Sequence, residues 1–151
     1  MRLTESEVET MIKPLEKKDL PVWAQMCVDV YPDTTIEEML SDYERGRFPD
    51  DYCHVIDGSI TGFISLSVRH DYVNGTESSP VGYIEGIYVK NEYRKCGIAR
   101  ELIAFAKGWS REKGCREMAS DCLLDNDDSL AFHTSVGFEE KERIICFAMT
   151  L

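Results

Sequence analysis

The chain has 151 residues and a mass of 17.3 kDa, the size of one domain with a core of its own. Apolar residues make up 43% and charged residues 30%, which excludes a disordered, collagenous or coiled-coil chain. Asp and Glu outnumber Lys and Arg by 28 to 17, and a net charge of −11 argues against a general nucleic-acid binder while favouring cationic ligands.

The first residues, MRLTESEVETM, are acidic and lack an apolar run, so no secretory leader is expected there. A short strand is expected over about Glu9 to Leu15. Asp19 before Pro21 reads as an N-cap followed by a first-turn proline. Val22, Met26 and Val30 then repeat at helical spacing up to Tyr31-Pro32, with Trp23 on the apolar face. Thr35 to Glu38 is a capping box that opens a second helix, and Gly46 is its stop.

Strands follow. Tyr52 to Ile56 meets Ile60 to Arg69 through Asp57-Gly58, a strong hairpin signal. Asn74-Gly75 marks a further turn, and Val81 to Val89 is a third β run. Ile98, Leu102, Phe105 and Trp109 keep helical spacing as far as Gly114. A short strand over Glu117 to Asp121, a helix from about Asp128 to Gly137, and strands over Phe138–Lys141 and Arg143–Met149 complete the chain. The order is β-α-α-β-β-β-α-β-α-β-β. Its β-α-β step requires a parallel pair and its hairpins require antiparallel neighbours. The class is α/β (α+β), with a mixed, mostly antiparallel sheet and helices on both faces.

Cys27, Cys53, Cys96, Cys115, Cys122 and Cys146 show no C-x-x-C spacing. The apolar stretch Ile144 to Met149 is too short to span a bilayer. A cytoplasmic protein with reduced, mostly buried thiols is expected. No metal is expected: His54, His70 and His133 lack ligand spacing, and in Asp125-Asn-Asp-Asp128 a calcium loop would need glycine where Leu130 stands. That acidic run reads instead as an N-cap cluster.

The segment from Tyr83 to Ala99 carries the chemistry. A strand enters a short loop and then a helix, and Arg94, Gly97 and Ala99 form R-x-x-G-x-A. Free amides at such a helix start, with the helix dipole behind them, make an anion site. Gly97 leaves room for close approach, and Arg94, Lys95 and Arg100 reverse the prevailing charge. Neither a Walker loop nor a dinucleotide fingerprint is present.

Downstream, Asn126, Ser129, Phe132, His133, Gly137 and Phe138 complete N-x-x-S-x-x-F-H-x-x-x-G-F. Taken with R-x-x-G-x-A, this pattern resembles the GNAT superfamily of N-acetyltransferases over nearly the whole chain, implying a single GNAT domain over residues 1–151. Arg69-His-Asp-Tyr-Val-Asn-Gly75, Ile84-Glu-Gly-Ile87, Lys113–Asp121 and Gly137–Arg143 are similar to bacterial aminoglycoside 6′-N-acetyltransferases. The resemblance implies transfer of acetyl from acetyl-CoA to the 6′-amine of an aminoglycoside, by direct transfer in a ternary complex, as a route to resistance.

It further implies that Ile87, Tyr88 and Val89 pair with the pantetheine arm. Arg94, Lys95, Cys96, Gly97, Ile98, Ala99 and Arg100 would hold the pyrophosphate. Asn126 and His133 would lie near the thiol end. Acceptor-site positions fall on Tyr31, Tyr72, Glu85, Asp121 and Glu142, with tyrosine at 31 where the family carries tryptophan. The Tyr72 counterpart enters a neighbouring subunit's site, implying a homodimer.

For the chemistry, the Val89 amide is a candidate oxyanion donor. Asp121, or water held by Glu85 and Asp121, is a candidate base; Asp121 alternatively acts by electrostatic binding alone. His133 either protonates the leaving thiolate or only packs and hydrogen-bonds. Two other readings stay open: a GNAT enzyme for a polyamine or a protein N-terminus, and a non-catalytic acyl-CoA-binding module.

Overall fold

The structure, a computed structural model, describes residues 8–151. The expectation of no leader falls mainly on residues 1–7, outside the described residues. Five strands form one sheet in the order β1-β2-β3-β4-β5: β1 is Thr10–Pro14, β2 Asp51–Ile56, β3 Ser59–Arg69, β4 Val81–Val89 and β5 Met118–Ser120. The first four pair antiparallel and β5 lies parallel to β4, as the β-α-β step requires. Four α-helices accompany them: α1 is Leu20–Val30, α2 Ile36–Glu44, α3 Ile98–Glu112 and α4 Asp127–Ser135.

The two faces of the sheet carry separate cores. Trp23, Met26 and Cys27 of α1 and Met39 of α2 pack on Cys53, Val55 and Phe63. Ile98, Leu102, Ala106 and Trp109 of α3 pack on Ile64, Leu66 and Ile84. Phe63 and Ile64 are neighbours in sequence and belong to opposite cores, as strand alternation dictates. Both tryptophans are buried, in keeping with a packing role.

Local signals act where they stand. Asp57 and Gly58 both take positive φ, of 46° and 82°, as a tight two-residue hairpin demands. Thr35 accepts from the Glu38 amide while Glu38 returns to the Thr35 amide, closing the capping box. Asp19 differs from expectation. Its carboxylate makes no cap bond to α1; it accepts from the Glu16 amide and from Lys13 Nζ at 2.5 Å, closing the 3-10 turn that precedes the helix.

The two strands expected over Phe138–Lys141 and Arg143–Met149 do not form within the chain. Beyond Phe138, whose amide bonds the His133 carbonyl, residues 139–151 take no regular structure and all are exposed. A strand sequence needs a neighbouring strand for its amides and carbonyls, and no described segment of the same chain supplies one. The thiol expectation is also corrected: all six cysteines are free, but Cys96, Cys122 and Cys146 are exposed.

Candidate active site

One irregularity in β4 organises the site. Ser65 pairs with Gly86 and the next residue, Leu66, with Ile84, so Glu85 is an extra residue in the ladder. Such a bulge turns one side chain aside and leaves the rest of the strand in phase. Ile84 and Ile87 therefore both face α3, with Val89. Tyr31 lies over the bulge, its hydroxyl donating to the Glu85 carbonyl at 3.2 Å. A Cβ on Gly86 would overlap the Tyr31 hydroxyl, so glycine is what lets that ring approach the strand.

A chain of polar contacts leads away from the bulge. Arg69 donates to both Glu85 oxygens, through Nη2 at 2.9 Å to each and Nε at 3.1 Å, and Ser67 Oγ adds a bond at 2.6 Å. The Arg69 guanidinium lies 3.4 Å from the Tyr83 ring centroid. The Tyr83 hydroxyl donates to Asp121 Oδ2. Burial, and then the Asp121 carboxylate, push the Tyr83 hydroxyl well above its ordinary pKa, which keeps it a donor. Glu85 and Asp121 are thus joined through two residues that inspection of motifs passed over. Strand register exposes both: Ser67 faces Tyr83 and Arg69 faces Val81.

The sheet forks beside this chain. β5 meets β4 only from Gly82 to Ile84, leaving the rest of that β4 edge without a strand. The Lys90 amide bonds the Thr61 carbonyl. By antiparallel alternation, the amides of Val89 and Ile87 then point to the open edge and that of Tyr88 to β3. Tyr88 is turned the other way from these two. Its backbone faces β3, and its hydroxyl donates to Asp29 of α1 at 3.1 Å. His133 pins the fork. Its Nδ1 lies 2.7 Å from the Ser129 carbonyl and its Nε2 2.8 Å from Ser120 Oγ, a pattern satisfied by the Nδ1–H tautomer. Asn126 caps α4, its side chain accepting from the Ser129 amide at 3.1 Å.

At the far end of the open edge is the basic loop. Lys95 and Gly97 take positive φ, of 63° and 81°. Among the described residues the amides of Lys95, Cys96 and Gly97 meet no backbone acceptor, and those of Ile98 to Arg100 open α3. The side chains divide their duties. Arg94 Nε donates to the Val89 carbonyl at 2.9 Å, Arg100 reaches the Ser135 carbonyl at 3.2 Å, and Lys95 is exposed. The Cys96 thiol lies 3.6 Å from the Arg94 carbonyl, and Ile98 is buried in the core, leaving only its backbone for the loop.

Not every expected position joins this group. Tyr72 is 74% exposed, and among the described residues its side chain makes no hydrogen bond to the Glu85–Asp121 chain. Glu142 accepts from Asn74 Nδ2 at 2.8 Å, beside the loop that carries Tyr72. Tyr31, Glu85 and Asp121 thus form one connected group, and Tyr72 and Glu142 lie along another.

Comparison with known proteins gives a consistent picture. The model of the acetyltransferase (GNAT) family matches residues 12–138. The chain is 41% identical over 145 residues to an aminoglycoside N(6′)-acetyltransferase type 1 of Stenotrophomonas maltophilia, covering 93% of each chain. Its counterpart in Serratia marcescens is 44% identical over 148 residues, covering 93% of this chain and 99% of that one. Among solved structures, the aminoglycoside N-acetyltransferase AAC(6′)-Iy in complex with CoA superposes with a TM-score of 0.89 at 36% identity, covering 99% of this chain and 100% of the other. The same enzyme bound to the bisubstrate analog CoA-S-monomethyl-acetylneamine gives 0.86 at 38% identity, over 95% and 99% of the two chains.

Proposed function

Because the chain belongs to the GNAT acetyltransferase family, we propose that it moves the acetyl group of acetyl-CoA to the 6′-amine of aminoglycosides and so confers resistance. The observation that carries this reading is the pairing, along the open edge of β4, of a cationic amide loop at one end with an acidic group nearer the fork. A loop of free amides flanked by Arg94 and Lys95 suits a pyrophosphate. The open β4 edge, with the Ile87 and Val89 amides turned outward, suits the amide-bearing pantetheine arm. Tyr31, Glu85 and Asp121 suit an acceptor with a sugar face and several ammonium groups.

Acetyl-CoA supplies the acetyl group as a thioester; the acyl group passes from sulfur to nitrogen, a C–S bond giving way to a C–N bond, and the thiol is released. The Val89 amide stabilises charge on the carbonyl oxygen. Asp121 takes a proton from the ammonium, directly or through water shared with Glu85. Tyr83 orients Asp121 for this, and Arg69 holds Glu85. His133 acts as a structural pin at the fork, holding Ser120 so that β5 parts from β4.

The reading extends to the assembly and the compartment. Tyr72, exposed on its own subunit, reaches the acceptor site of a second copy in a homodimer. Six free cysteines favour the reducing cytoplasm. No helix among the described residues is long and apolar enough to cross a membrane.

The deciding experiment is thiol release from acetyl-CoA across kanamycin, tobramycin, spermidine and an N-terminal peptide, with NMR of the product. Turnover with the aminoglycosides and an acetamide at the 6′ position are expected. Turnover confined to the polyamine or the peptide would overturn the substrate, and coenzyme binding without release for any amine would overturn the activity. For the base, Asp121→Asn is expected to lower kcat by roughly 100-fold or more and to alter its pH profile. A raised KM with kcat and profile intact would leave Asp121 with binding alone.

A further inference from the structure

Two buried polar residues outside the fork reach the basic loop from the sheet. His54 of β2 is 1% exposed and Thr61 of β3 is wholly buried. Apolar packing has no use for either side chain, so each must answer to a partner. His54 faces α3, as alternation with Tyr52 and Ile56 requires.

Thr61 owes its position to a second bulge. His54 pairs with Gly62 and the next residue, Val55, with Ile60, so Thr61 is an extra residue in the β2–β3 ladder. Its carbonyl accepts the Lys90 amide at 2.8 Å, where β4 ends and the loop begins. Its hydroxyl lies 2.7 Å from His54 Nδ1, and His54 Nε2 lies 2.5 Å from Glu101 Oε2. The Nε2–H tautomer satisfies both contacts: Nε2 donates to the carboxylate, and the Thr61 hydroxyl donates to Nδ1. Glu101 stands in the first turn of α3, and its own amide bonds the Gly97 carbonyl at 3.1 Å.

The loop is therefore held at both ends from one residue. Thr61 grips Lys90 at the entry through its carbonyl and Glu101 at the exit through His54. Between these ends the amides of Lys95, Cys96 and Gly97 meet no backbone acceptor among the described residues, and Lys95 and Gly97 take positive φ. Such a stretch does not hold its own shape.

We infer that His54 and Glu101 are positioning residues, which with Thr61 form a clamp that sets the loop's shape before the coenzyme arrives, a role that rests on the loop holding the coenzyme pyrophosphate as proposed above. A loop ordered in advance loses less entropy when its ligand binds. The clamp also accounts for a carboxylate in an awkward place. Glu101 suits the dipole of α3 but opposes an anion bound at the same helix start. Its bond to His54 is what the carboxylate supplies in return, and the two effects give substitutions at position 101 opposite signs.

Calorimetric Kd values for CoA and for tobramycin, measured on the full chain, separate them. The Glu101 side chain is 53% exposed, so its substitutions leave the core intact. By charge alone, Glu101→Ala and Glu101→Gln would both bind CoA more tightly than the parent. The clamp instead predicts that Glu101→Ala weakens CoA about 10-fold, the worth of a lost charge-assisted hydrogen bond. Tobramycin should stay within about twofold, as for an independent site. Glu101→Gln keeps an acceptor for Nε2–H and should bind CoA at least as well as the parent. His54→Phe breaks the clamp from the buried side, and Thr61 Oγ keeps a partner there in the carbonyl of residue 54, 3.3 Å away. Its loss should match that of Glu101→Ala, and the double variant should lose no more than either, because both cut one chain of contacts. CoA binding by Glu101→Ala that is unchanged or tighter would overturn the clamp. So would equal weakening by Glu101→Ala and Glu101→Gln, or a loss shared equally by CoA and tobramycin, which would mark a general loosening of the fold. A parent chain that binds no CoA would overturn the coenzyme reading itself, so the two failures are told apart.

Discussion

Asp51 shows how one side chain ties stability to pH. It is 3% exposed, accepts from Trp23 Nε1 at 2.9 Å through one oxygen, and leaves Oδ1 without a partner. Burial foremost pushes its carboxyl up to about 7. An unfolded aspartate titrates near ~3.9, so between these values the native state holds a proton that the unfolded state has lost. Stability is then fully present below about pH 4, falls as pH rises through this window, and carries the whole penalty above about pH 7. Asp51→Asn keeps an acceptor for Trp23 and cannot ionise. Urea melts should find the variant more stable than the parent at pH 8, by on the order of 1–4 kcal/mol, with the advantage gone at pH 4. An equal gain at both values would mean that Asp51 is not the group responsible.

At the scale of elements, what the sequence discloses depends on how far away the deciding partner lies. The Asp57-Gly58 hairpin, the Thr35 capping box and the α3 periodicity are settled within a few residues, and all three are found where expected. The basic loop belongs to the same class, since its shape follows from Arg94 to Ala99 alone. Gly97 tests that loop. A Cβ there meets nothing within 4 Å, so the cost of Gly97→Ala comes from its φ of 81° alone. About 1–2 kcal/mol of local strain is expected, relieved by a shift of the neighbouring amides. The KM for acetyl-CoA should rise severalfold with aminoglycoside KM little changed; the reverse pattern in steady-state kinetics would place the coenzyme elsewhere. The contacts that escape a motif search are the non-local ones. Arg69 meets Glu85, and Tyr83 meets Asp121, across strands and through a bulge that no local pattern announces. The final strands do not form for the same reason carried further, because no described segment of the chain lies beside them to pair with.

At the scale of the whole molecule, the net charge of −11 hides an uneven distribution. Arg94, Lys95 and Arg100 gather at one end of the open edge, while Glu85 and Asp121 gather nearer the fork. Even there the acidity is tempered, since Arg69 already neutralises much of Glu85. On the proposed reading, a polycationic acceptor is drawn by the general field and by Asp121 more than by Glu85. Raising the salt from 50 to 500 mM should increase KM for tobramycin several times over, as screening shortens the reach of that field. A flat response would assign the acidity to solubility alone.

The bulge in β4 has an evolutionary reading. Because Glu85 stands outside the ladder, removing it would leave Ile84, Gly86, Ile87 and Val89 facing the sides they face now. It is a residue that the strand can gain or lose without changing the frame of its neighbours. A chain lacking Glu85 should fold, with a circular-dichroism melt close to that of the parent, and have lost both the carboxylate that Arg69 holds and the carbonyl to which Tyr31 donates. Insertion or deletion at this one position offers a lineage a way to rewrite the proposed acceptor site while inheriting the scaffold unchanged.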